Sequence, residues 1–125
     1  MRLLVLPGEL AVARLNPIDE IPGWATPAPI SSITRTRDEL SIVCGAASVP
    51  ADVCAERGWR SLRVAGSLDF SLTGVLASIA GPLAEAGISI FAISSYDTDY
   101  VLVREQNLSA AIDCLAAAGH EVVPG

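Results

Sequence analysis

The sequence predicts an α+β fold of two βαββαβ-like halves. Three observations carry this: a helical run followed by a hairpin within residues 71–103, a second helix and strand behind it, and a weaker copy of that order in the first half. In the second half, residues 60–66 read as a short strand with Leu62 and Val64 on one face. From Leu72 the apolar positions Val75, Leu76, Ile79 and Leu83 recur at helical spacing. Asp69 or Ser71 is placed to cap the start, and Gly87 to end the run. Pro82 removes the amide that would bond back to the Ser78 carbonyl, so a kink or break is expected there. Residues 88–94 place apolar side chains on both faces, as a central buried strand does. A polar turn over 95–99 and a returning strand over 100–104 complete a hairpin. Asn107 is the candidate cap of a last helix with Leu108, Ala111, Ile112 and Leu115 on one face. Gly119 closes it before a strand over residues 120–123.

The first half repeats part of this order. Residues 38–44 align with 98–104 at an offset of sixty, which also superimposes Ile33 on Ile93, Thr34 on Ser94 and Cys54 on Cys114. Residues 50–56 then read as the short helix of the first copy, and residues 1–15 supply its first strand or a bent pair. Pro17, Pro22, Pro27 and Pro29 stand where the long helix belongs, so that helix is expected to be degenerate or replaced by a loop. Trp24 in that loop reads as a plug over the core. The domain division is expected at 1–59 and 60–125.

Composition excludes several function classes. The chain has 125 residues with 8 basic and 14 acidic ones, a net charge of −6, which argues against a nucleic-acid partner. Residues 1–6 run directly into Pro7, Gly8 and Glu9, without the long apolar stretch of a signal peptide. No run reaches a membrane span, so a cytoplasmic protein is expected. Cys44, Cys54 and Cys114 lack metal-site or disulfide spacing and read as small core thiols. His120, the single histidine, reads as a solvated edge residue with no catalytic constellation around it. Gly81 and Gly87 lie within or after a helix and form no dinucleotide fingerprint. No cofactor is expected. A metal on Asp97 and Asp99, serving a small enzyme, ranks behind a ligand-binding or a purely structural oligomerisation module.

Two βαββαβ-like halves in one chain are an arrangement of the ACT domain, and the residues support that likeness. Residues 72–74 (LTG) and 88–103 (ISIFAISSYDTDYVLV) resemble the ACT repeats of eukaryotic cytosolic arginine sensors of the CASTOR type. Residues 6–9, 32–44 (SITRTRDELSIVC) and 120–122 are similar to small bacterial two-ACT proteins. The resemblance implies tandem ferredoxin-like units with sheets side by side and a non-catalytic, amino-acid-binding regulatory role in a homodimer. The arginine sensors have four ACT units where this chain has two, so a matching pocket implies a second copy.

Two junctions then become the candidate ligand site. In ACT domains the loop before the first helix meets the ligand, which here is Asp69 with Leu72, Thr73 and Gly74. Asp69 would accept from a ligand ammonium while the Thr73 and Gly74 amides take its carboxylate; helix capping is the competing role for Asp69. The second junction is Ser94, Ser95, Tyr96, Asp97, Thr98 and Asp99, otherwise read as a solvated hairpin turn. Its two carboxylates favour a ligand with a cationic end, such as arginine or lysine. Ser32, Ile33 and Thr34 hold the corresponding place in the first half and are expected to close the pocket if the two units lie side by side.

Overall fold

The computed structural model describes residues 1–26, 29–69 and 71–125; Pro27, one of the four loop prolines, lies outside the described residues. The strands are β1 (Arg2–Val5), β2 (Leu10–Leu15), β3 (Ser32–Arg35), β4 (Leu40–Gly45), β5 (Ala55–Val64), β6 (Ile90–Ser94), β7 (Asp99–Arg104) and β8 (Glu121–Pro124). The helices are α1 (Val75–Glu85) and α2 (Leu108–Ala117). The chain divides into a helical unit, Met1–Pro7 with Arg60–Gly125, and a hairpin unit, Gly8–Trp59. Residues 1–7 thus join the later unit, where the sequence reading had placed them in the earlier one. The reason is pairing: Leu3 of β1 sits opposite Val64 of β5 on one side and Val122 of β8 on the other.

Within the helical unit the strand order is β6-β7-β5-β1-β8. The predicted apolar stripe of α1 is what the fold uses: Ile79 and Leu83 are fully buried against Leu3, Leu62, Val101 and Val103, with Ala111 and Leu115 of α2 in the same cluster. Both helices close alike. The amides of Gly87 and Ile88 bond the carbonyls of Ala84 and Leu83, and those of Gly119 and His120 bond Ala116 and Leu115. Each glycine has positive φ (74° and 98°), the left-handed closure that a side chain would strain.

Three expectations change here. First, the helix starts at Val75 behind Gly74 (φ 75°), with no side-chain cap; Asp69 Oδ1 instead takes the Ser71 amide and hydroxyl, each at 2.8 Å, in a local turn. Asn107 likewise sits at the α2 cap position without a side-chain cap bond. Second, α1 runs through Pro82 unbroken. The Ser78 carbonyl that Pro82 leaves without its helical donor accepts His120 Nε2–H at 2.9 Å. A carbonyl can only accept, so Nε2 carries the hydrogen, and Nδ1 accepts from the Met1 nitrogen at 3.2 Å. His120 is therefore partly buried and bonded on both sides rather than solvated. Third, β6 is an edge strand, paired among the described residues with β7 alone, and half exposed. An uncharged run reports what covers a strand's faces, not what lies beside it.

The hairpin unit has the order β3-β4-β2-β5. Its core is Ala11, Ala13, Leu40, Ile42 and Cys44, and half-buried Trp24 packs on it as expected. Among the described residues, 16–31 contain no helix. Arg35 pins that loop by donating to the Pro17 carbonyl and, at 2.8 Å, to that of Asp19. The short helix expected over 50–56 is absent. Arg57 takes the carbonyls of Ala46, Val49 and Pro50 at 3.0–3.1 Å, leaving one 3₁₀ turn at Ala46–Ser48, and β5 already begins at Ala55.

The internal repeat is real in the hairpins but sits at an offset of fifty-nine. Arg35 pairs Leu40 as Ser94 pairs Asp99. The two four-residue turns share their bonds: Thr36 N to Glu39 O and Ser95 N to Thr98 O, both 2.9 Å. The Thr36 and Ser95 hydroxyls accept the Glu39 and Thr98 amides at 3.2 and 3.4 Å. All three cysteines are free. Burial pushes the Cys44 thiol up, Cys114 is partly buried, and Cys54 is exposed rather than in the core.

Candidate functional site

The candidate site is built where two loops of the helical unit are stitched together. Gly66, with φ 83°, turns the chain out of β5. The Leu68 amide then donates to the Asp97 carbonyl at 2.6 Å, and the Ser67 hydroxyl reaches Asp97 Oδ1 at 3.5 Å. From the other side Thr98, only 2% exposed, donates its hydroxyl to the Val64 carbonyl at 2.8 Å. The hairpin turn is thereby anchored at the end of β5, opposite the residues that lead into α1.

Between these walls lies a cleft of about 250 Å³. Of the residues singled out in the sequence, Asp69, Leu72, Ser94, Ser95, Tyr96, Asp97, Thr98 and Asp99 line it. Leu68 and Val75 complete the lining. Thr73 and Gly74 lie in the turn between Leu72 and Val75 and do not line it themselves. Ser32, Ile33 and Thr34 stand on β3 of the hairpin unit and are not among its lining residues. Leu68 carried no sequence signal inside an irregular segment, and Val75 read only as helix core.

Among the described residues, three aspartates and no basic side chain line the cleft. The Ser71 amide, and then its hydroxyl, hold the Asp69 carboxyl below its ordinary range, so it is ionised at neutral pH. The wall opposite the turn is the start of α1. Its first-turn amides have no helical acceptor, and Gly74 offers no side-chain cap. Thr98 is committed to Val64, which makes its hydroxyl an anchor of the site. Tyr96 (81% exposed) and Leu72 (54%) form an open apolar rim. The cleft thus presents the turn's Asp97 and Asp99 on one side, Asp69 and the uncapped start of α1 on the other, and an apolar lip, an arrangement suited to a small molecule bearing a cationic group and an anionic one. Among the described residues no group of three metal-ligating side chains is gathered, and no helix is long and apolar enough to cross a membrane.

The helical unit is thus a ferredoxin-like α+β unit with a polar cleft between its hairpin turn and its helix start. The family model described as ACT domain matches residues 55–117, and a second model, described as an N-terminal domain, matches residues 8–52. The chain belongs to the ACT domain family. It is 33% identical over 99 residues to the rat cytosolic arginine sensor for mTORC1 subunit 1, covering 73% of this chain and 30% of that protein. The chain therefore spans about a third of that relative's length. A crystal structure of an Agobacterium tumefaciens protein superimposes with a TM-score of 0.93 at 41% identity, covering 99% of this chain and 93% of the other. The regulatory subunit of aspartate kinase from Thermus thermophilus shares the fold, with a TM-score of 0.64 at 12% identity over 94% and 97% of the two chains.

Proposed function

We propose that this chain is a non-catalytic regulatory protein whose helical unit binds an amino acid, arginine or lysine by preference, in the cleft between residues 67–75 and 94–99. The observation that carries the reading is the cleft's charge: among the described residues three aspartates and no basic side chain line it, beside an uncapped helix start. A guanidinium or ammonium pairs with Asp97 and Asp99, the α-ammonium with Asp69, and the α-carboxylate with the first-turn amides of α1. The similarity to a protein named as a cytosolic arginine sensor supports both the ligand class and a cytoplasmic location.

A homodimer belongs to the same proposal. β6 is an edge strand of five residues, Ile-Phe-Ala-Ile-Ser, without charge or proline, and such an edge favours pairing with a second strand. The same edge would serve a structural module that binds nothing, which makes ligand binding the deciding test. Thermal shifts measured for the twenty amino acids, followed by calorimetry, should show stabilisation by a basic amino acid. Light scattering should show a dimer. A protein unmoved by every amino acid at about 10 mM would be a structural module, and turnover of any compound would end the non-catalytic reading.

A further inference from the structure

The helical unit carries a second concavity that shares no residue with the cleft. Val5 and Pro7 at the end of β1, Val122 to Pro124 on β8 and Ile112 on α2 wall a groove of about 370 Å³, with Arg60 at its side. Apart from Arg60 these walls are apolar side chains. The arginine is desolvated but poorly paired. Its side chain is 21% exposed, Nη2 reaches the Leu6 carbonyl at 3.4 Å, Nη1 reaches Glu105 at 3.7 Å, and among the described residues Nε is buried with no acceptor. A guanidinium has five N–H groups to satisfy, and two long contacts leave it short.

We propose that this groove is a binding site for a short aliphatic carboxylate. Arg60 holds the carboxylate, and Val5, Ile112 and Val122 cover the hydrocarbon. A lone underpaired cation beside an apolar wall recruits one anionic group and one apolar body. A polyanion fits neither those walls nor a protein of net charge −6. Glu105 is the competitor for Arg60. Its side chain is 54% exposed, so the carboxylate displaces it into water at little cost.

The probe pair is 4-methylpentanoate and its amide, titrated into the full chain while backbone amide shifts are followed by NMR. The acid should move Ile112, Val122 and Val123 and bind at least about tenfold more tightly than the amide. Arg60→Gln should erase that preference. Ile112→Trp, which fills the groove without touching the arginine, should block both probes while leaving the unfolding midpoint in place. Equal binding of acid and amide, shifts confined to residues 67–75 and 94–99, or no shift at about 10 mM acid would each overturn the proposal. Of these outcomes only shifts confined to residues 67–75 and 94–99 would bear on the amino-acid cleft, and they would leave its proposed role standing.

Discussion

The two hairpin turns share one bonding scheme and differ in what surrounds their acids. In the hairpin unit, Arg14 donates to the Asp38 carbonyl at 3.0 Å and pairs Glu39 at 3.4 Å, so the turn's charge is answered locally. In the helical unit the equivalent turn places Asp97 and Asp99 in a cleft with Asp69, and among the described residues no basic side chain lines it. Beside the first turn Arg35 pins a proline-rich loop, whereas the second turn shares its cleft with the residues leading into an uncapped helix. The turn is therefore a structural device used twice. What makes a candidate site of one copy is the helix start and the unanswered charge.

The strongest way to sharpen the contrast is through the covers of the two cores. Leu83→Ala, at a fully buried position of α1, should cost about 2–5 kcal/mol in urea unfolding. Trp24→Ala in the half-buried loop should cost less. Equal losses would mean that the loop holds its unit as a helix does. Next in size is the proline–histidine link. His120→Ala should cost about 1–3 kcal/mol, because it leaves the Ser78 carbonyl unpaired. In a Pro82→Ala background, where the helical amide is restored, most of that loss should vanish; a purely additive cycle would refute the link.

Smaller effects test the likeness of the turns. Ser95→Ala and Thr36→Ala should each cost about 0.5–1.5 kcal/mol, and by similar amounts. A loss at Ser95 alone would mean that only the helical unit depends on its turn hydroxyl. The smallest effect is acid sensitivity at Asp69. Its folded pKa is depressed, so its contribution is present above the ordinary carboxylate range and lost as pH falls through the folded value. The Ser71 amide chemical shift, followed by NMR on acidification, should report the titration of the Asp69 carboxyl and lose that step in Asp69→Asn. An unchanged pH profile in the variant would remove the Asp69 turn from the account.

Both helices and both hairpins were legible because each carries its own period and its own punctuation, Gly87 and Gly119 above all. What pairing decides at long range was not. β1 reads equally well as the opening of either unit until its register with Val64 and Val122 is known. The uncharged run of β6 hid its place at the sheet edge, and the repeat offset was misjudged by one because few identities anchor it. Pro82 was visible as a problem, but its solution lay in His120, far along the chain. At the site, the acidic turn and the segment before α1 were legible by type. Leu68 was not, since its role depends on a backbone bond to Asp97 that no local pattern announces.

The most direct test uses the matched acids of the two turns. Arginine, titrated by calorimetry into the native chain, Asp97→Asn and Asp38→Asn, should bind the native chain and Asp38→Asn alike and lose at least about tenfold in affinity with Asp97→Asn. Equal losses in both variants, undiminished binding by Asp97→Asn, or no heat from the native chain with any basic amino acid would contradict the assignment of the cleft as the effector site.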